Sequence, residues 1–179
     1  MNEIERIDSF LSFMKNNVTD DMLYWLKDNG FFTAPASTKY HGDYEGGLFD
    51  HSLAVAQELV YLTEQLKITW QDPRSPFIVG MFHDLCKIDI YKRYPSIDPK
   101  KEYDFTYDDK SLLNGHGAKS VMMLSQWYKL TEEEILCIRY HMGAYETEDW
   151  DKYGKSIEKY PNVLFTHTAD MIASRIRGV

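Results

Sequence analysis

Apolar residues recur every three or four positions along most of the chain, the spacing of a single buried helix stripe. Ile4, Ile7, Phe10, Leu11 and Met14 set out a first helix. Val18-Thr19-Asp20-Asp21 offers capping side chains ahead of Met22, Leu23, Trp25 and Leu26, and Asn29-Gly30 ends a second. Residues 31–47 read as an ordered loop containing Pro35, three glycines and several aromatics. A third helix is expected from Leu48 or Phe49, carrying His51, Leu53, Val55, Leu59, Val60 and Leu62. After the break at 71–76, the almost wholly apolar run Phe77-Ile78-Val79-Gly80-Met81-Phe82 leads into His83-Asp84 and predicts a buried central helix. Residues 90–107 read as a long loop with room for a short hairpin. Helix is expected again over 111–128, and from the acid-rich start Thr131-Glu132-Glu133-Glu134 on to Met142. A loop bearing Gly and Glu follows, and a final helix spans 162–177. No repeat, low-complexity tract or linker interrupts the pattern. The expectation is all-α: one compact helical bundle.

The length, 179 residues, suits one domain. With 13 Tyr, 9 Phe and 4 Trp, the chain has the apolar bulk that disordered sequences lack. No apolar run approaches the roughly 20 residues of a membrane span. The start, Met1-Asn2-Glu3-Ile4, lacks the basic and apolar regions of a secretory signal, so a cytoplasmic location is expected. Net charge is −8, which opposes broad binding to a nucleic-acid polymer or an anionic bilayer. A small anionic ligand stays open, because a metal or a few cations can reverse the sign inside one pocket. Cys86 and Cys137 read as two buried thiols in a reducing compartment.

The candidate chemistry lies in six histidines: His41, His51, His83, His116, His141 and His167. A single scattered histidine is ordinarily a cap or a surface residue. The setting of His83 differs, because with Asp84 it closes an apolar run and places imidazole beside carboxylate in the interior. An unpaired buried carboxylate costs several kcal/mol, so Lys87, one turn on, or a cation must balance it. Asp170 is likewise acidic within an apolar stretch. Glycines flank His116 and follow His141 at Gly143, leaving room for a ligand to approach.

The ordered series His51, His83-Asp84, His116, His141 and Asp170 resembles the HD superfamily of metal-dependent phosphohydrolases. The matching stretches are Gly46-Gly47-Leu48-Phe49-Asp50-His51, His83-Asp84-Leu85-Cys86-Lys87, Gly115-His116-Gly117 and Thr168-Ala169-Asp170-Met171. The likeness covers about 39–175, which divides the chain into an N-terminal helical extension, 1–38, packed on an HD domain, 39–179. Cys86 stands where the family's usual element has glycine, and is expected to affect packing without touching a ligand.

The resemblance implies one divalent transition ion (Fe, Mn, Ni, Co or Zn) on His51, His83, Asp84 and Asp170. It implies a second on His116 and His141, with Asp84 bridging, as in the two-metal branches; the alternative is a single ion with His116 and His141 contacting substrate phosphate. It further implies hydrolysis of a small phosphate ester or anhydride, a nucleotide foremost, by a metal-bound hydroxide. Lys87 would then neutralise phosphate or assist the leaving oxygen, or else pair with Asp84. Arg93, Arg139 and His41 are candidate phosphate contacts, with Lys92 and Arg175 as further cations. Tyr145, Trp150 and Tyr153 are expected either to stack a base or to pack a loop. His167, three residues before Asp170, is expected to hydrogen-bond behind a ligand. Two other readings share the ligand set: an HD-fold diiron oxygenase, and a nucleotide sensor without turnover.

Overall fold

The computed structural model describes residues 1–99, 102–108, 112–113, 115–143 and 150–179. Helix α1 (Glu3–Met14) opens on a capping box in which Asn2 and Glu5 exchange hydrogen bonds, and Thr19 caps α2 (Asp20–Asp28). Helix α3 (Gly47–Leu66) is the longest, and α4 (Ser75–Phe82) packs across it. Gly80 makes this contact possible: a Cβ there would lie 2.4 Å from the Ala56 Cα, so any side chain would force the helices apart. The close approach brings His51, on α3, and His83, directly after α4, into contact.

A short 3₁₀ turn (Leu85–Asp89) leads into an antiparallel hairpin, β1 (Tyr91–Pro95) and β2 (Tyr103–Tyr107), with Tyr91 opposite Tyr107. Helices α5 (His116–Leu124), α6 (Glu132–Arg139), α7 (Trp150–Lys159) and α8 (Asn162–Met171) complete the bundle. The chain then continues as a π-helical turn, Ile172–Arg177. The all-α class is thus observed, with the hairpin as its one sheet among the described residues. No described helix is long and apolar enough to cross a membrane.

Phe10 of α1, Phe31 and Phe32 of the following loop, Phe49 of α3 and Phe82 of α4 are fully buried and meet largely edge to face. Met14, Met22 and Leu26 join the same core, so α1 and α2 share the apolar interior of the rest of the bundle.

Several elements differ from the sequence reading. Helix α7 occupies a stretch expected to be loop, because Tyr153, Ile157 and Tyr160 are a thin apolar stripe among charges that still reaches the core. Helix α6 stops at Arg139 rather than Met142, since the chain turns through Tyr140 to Gly143, which adopts φ +59°. The described helix α5 starts at His116, after Gly115 at φ +82°; Ser111 and Asn114 lie outside the described residues. The final helix changes from α to π winding after Met171.

Candidate metal centre

The residues that converge come from helix ends. His51 lies near the start of α3, whose approach is fixed by the glycine pair before it. Gly46 adopts φ +80° under the Arg6 guanidinium, and a Cβ on Gly47 would lie 2.1 Å from the Gly42 carbonyl oxygen. Arg6 clasps Asp50 through two bonds, Nε to Oδ1 at 3.0 Å and Nη2 to Oδ2 at 3.2 Å, which locks this entry next to His51. His83 and Asp84 directly follow α4, His141 lies just beyond α6, Asp170 is near the end of α8, and His116 is the first residue of α5.

Main-chain oxygens orient three of the imidazoles. His83 Nδ1 donates to the Gly80 carbonyl at 2.8 Å and His141 Nδ1 to the Ile138 carbonyl at 2.7 Å. Each uses a carbonyl from the last turn of its own helix, which has no partner within the helix. His51 Nδ1 donates to the Val179 main-chain oxygen, likewise only an acceptor, at 2.9 Å, so the chain after the π turn reaches back to hold it. A carbonyl can only accept, so each Nδ1 carries the proton and each Nε2 presents a lone pair.

These lone pairs point together. His51 Nε2 lies 3.2 Å from His83 Nε2 and 3.2 Å from Asp170 Oδ1. Asp84 Oδ2 is 3.7 Å from His51 Nε2 and 3.5 Å from His83 Nε2, while its Oδ1 lies 3.3 Å from His141 Nε2. Neither Asp84 Oδ1 nor His141 Nε2 has a hydrogen bond of acceptable geometry, although both are buried. Such crowding of acceptors is unfavourable unless a cation lies among them, and imidazole with carboxylate suits a divalent transition ion. The donor atoms form three groups of potential ligands: His51 with His83 and Asp84, His83 with His141 and Asp170, and Asp84 with Cys86 and His116.

The electrostatics favour the ligating forms of His83, Asp84 and Asp170, while His141 is drawn towards protonation in the absence of a competing cation. Burial lowers His83 to about 4, keeping it neutral. Burial works against charge on Asp84, but Lys87, His83 and His141 outweigh it and hold the carboxyl well below its usual range. Asp170 is depressed in the same way, with His51 foremost among the groups that overcome its burial. At His141 burial opposes protonation, yet the neighbouring Asp84 carboxylate raises it above its ordinary value. Lys87 Nζ lies 2.6 Å from Asp84 Oδ2, and that carboxylate overrides the effect of burial and keeps the ammonium charged up to about 12.

A cavity of about 240 Å³ opens on the cluster, lined by His41, Asp84, Lys87, His116, Asp170 and Arg175 on its polar side. Tyr40, Tyr91, Met142 and Met171 supply an apolar wall, of which Tyr40, Met142 and Met171 carry no signal in the sequence. His41 stacks obliquely on His51 with ring centroids 4.9 Å apart, and burial lowers it to about 4.

Other expected contacts lie elsewhere. Arg93 pairs with Glu45 at 3.0 Å and covers Tyr103, pinning the hairpin to the loop before α3, and Arg139 lies over Tyr140; neither lines this cavity. Lys92 is exposed on the hairpin, and Trp150 and Tyr153 pack on each other beside Tyr140. Tyr145 lies outside the described residues. His167 Nδ1 donates to the His141 carbonyl at 2.7 Å, so this bond supports the segment bearing His141 rather than Asp170. Cys86, expected to touch no ligand, has its sulfur within ligand range of Asp84 and His116.

A family model described as HD domain matches residues 48–173. No curated protein and no solved structure matches the chain.

Proposed function

Because the chain belongs to the HD domain family, a superfamily of metal-dependent hydrolases, we propose that it is a phosphohydrolase or phosphodiesterase of nucleotides or other small phosphate esters and anhydrides. The observation that carries this reading is the convergence of His51, His83 and His141, each with Nδ1 committed to a main-chain oxygen, on the buried Asp84 and Asp170 beside a cavity with two cations. In the proposed assignment His51, His83, Asp84 and Asp170 would hold one divalent transition ion, with His141 beside them, and Asp84 and His116 would contribute to a second. Ions bound there supply charge that polarises a phosphoryl oxygen and lowers the pKa of a coordinated water.

The chain's own groups do the rest. Lys87 stays protonated against Asp84 and faces the cavity, where its remaining N–H bonds are available to phosphate oxygens. Arg175, on the π turn, meets the same cavity from the far side and orients the anion. The neutral His41 adds a hydrogen-bonding edge without adding charge. Tyr40, Tyr91, Met142 and Met171 exclude water from the organic part of the substrate and provide faces for a flat ring.

The test is product analysis by chromatography after incubation with mononucleotides, triphosphates, cyclic dinucleotides and dinucleoside polyphosphates. Manganese or ferrous iron is added, and Asp84→Ala serves as the blank. Cleavage by the wild type that is absent from the blank is expected. Consumption of oxygen in place of phosphate-bond cleavage would replace the hydrolase with an oxygenase.

A further inference from the structure

We propose that Cys86 is a metal ligand: its thiolate, with Asp84 and His116, completes the second metal position of this chain. This inference rests on the metal-centre reading above. Its starting point is the way the donors divide. His141 groups with His83 and Asp170, on the side of the cluster that holds His51, whereas His116 groups with Asp84 and Cys86. Asp84 stands between the two sets, and its buried Oδ1 lacks a hydrogen bond.

The local fold puts the sulfur there. After Asp84 the chain tightens into the 3₁₀ turn Leu85–Asp89, with the Lys87 N–H donating to the Asp84 carbonyl at 2.9 Å. The Cys86 N–H donates to Ser120 Oγ at 3.1 Å. Ser120 lies on α5 one turn beyond His116, so this bond fastens the cysteine beside the start of the helix that carries the histidine. Cys86 and His116 also line a small cavity of about 90 Å³.

The donor atoms of Asp84, Cys86 and His116 lie within 4.8 Å of one another. At a tetrahedral angle, bonds of about 2.3 and 2.1 Å place a sulfur and a nitrogen or oxygen about 3.6 Å apart on one ion. Closing on an ion therefore takes side-chain shifts of up to about 1 Å. As the sulfur–metal bond forms, the thiol proton passes to solvent and two electrons of the sulfur fill the bond; nothing is oxidised or reduced. A thiolate beside an imidazole and a carboxylate biases this position towards zinc, ferrous iron, cobalt or nickel and away from manganese and magnesium. The first position, with imidazole and carboxylate only, carries no such bias from sulfur.

Cobalt separates the two levels of the argument. The full chain is stripped of metal and titrated with Co²⁺ while its absorption spectrum is recorded. Visible d–d bands report an ion among the imidazoles and carboxylates, and a near-ultraviolet sulfur-to-cobalt charge-transfer band reports the thiolate. The expected result is both features in the wild type, with the charge-transfer band lost in Cys86→Ser and retained in Cys137→Ser. Cys137, the other cysteine, is buried in the apolar core. Visible bands without the sulfur band in the wild type would overturn ligation by Cys86 while leaving the metal centre standing, and this outcome needs no variant to fold. Loss of the band in Cys137→Ser alone would also overturn it. Absence of every band at saturating Co²⁺ would remove the metal-centre reading itself, and with it the inference.

Discussion

Helices α3 and α4 bury two clusters of opposite character. One gathers Phe10, Phe31, Phe32, Phe49 and Phe82; the other gathers His51, His83, Asp84, His141 and Asp170. Both are buried, yet only the aromatic one is complete in itself. Phe10 meets the other four rings edge to face, with Phe32 centred 5.5 Å away, so burial and ring geometry stabilise together. In the polar cluster, Asp84 Oδ1 and His141 Nε2 sit 3.3 Å apart without a hydrogen bond, and two imidazole lone pairs meet at 3.2 Å. Apolar burial stabilises without outside help, whereas this polar burial leaves buried acceptors that a bound cation would satisfy. The aromatic cluster therefore governs stability, and the polar one governs binding.

Substitutions can break that division. The largest effect is expected from Asp84→Ala, which removes the carboxylate shared by both proposed ions. Turnover should fall to the level of a metal-free control and elemental analysis should find little bound metal; near-normal turnover would refute the assignment. His116→Ala should lower bound metal towards one ion per chain while the circular dichroism spectrum stays that of the wild type. Unchanged metal content would reassign His116 to the substrate. In the aromatic cluster, Phe10→Ala should cost about 3–5 kcal/mol in urea unfolding, with the metal stoichiometry of the folded chain unchanged. A loss of metal there comparable to that of Asp84→Ala would erase the contrast.

Acid should distinguish the clusters as well. The unfolded chain protonates a histidine near pH 6.5, whereas His83 in the fold stays neutral down to about 4. The unfolded state thus binds the extra proton in that window. The metal-free chain should lose stability as pH falls from 6.5 towards 4, by about 1.4 kcal/mol per pH unit from His83. His141 has the opposite sign, because its folded value is raised: its contribution is full below pH 6.5 and fades as pH rises through the folded value. The urea midpoint should therefore peak near pH 6.5, and a flat profile from 6.5 to 5 would contradict the neutral, buried His83. The smallest effect belongs to Arg93→Ala. Its pair with Glu45 is nearly half exposed on both sides, so the cost should stay below about 1 kcal/mol. KM should not change, because Arg93 lies outside the cavity; a large rise in KM would return it to the substrate.

Much of this contrast was legible in the sequence. The apolar run 77–82 ending on His83-Asp84 foretold a short buried helix delivering two polar groups to the interior, and Thr131 with Glu134 foretold the capping box that opens α6. The order of His51, His83-Asp84, His116, His141 and Asp170 identified the family that the match over 48–173 bears out. What stayed hidden depends on contacts between distant segments. Nothing near His51 signals that the Val179 main-chain oxygen, 128 residues on, sets its tautomer. His167 was assigned to Asp170 by helix spacing, but the turn after α6 brings the His141 carbonyl to it instead. Arg93 looked free for phosphate until the hairpin brought it to Glu45, a residue of the earlier loop. Helix α7 escaped notice because its apolar stripe is thin and charges dominate its composition.

Equilibrium dialysis of the metal-stripped chain against a single divalent ion, cobalt or zinc, followed by elemental analysis, tests the metal centre most directly. Binding should saturate at two ions per chain and weaken as pH falls below about 6, as protonation competes for the imidazoles. A chain that retains no ion at any concentration, with its fold intact, would show that His51, His83 and Asp84 are reconciled by protons alone, and would contradict the metal centre.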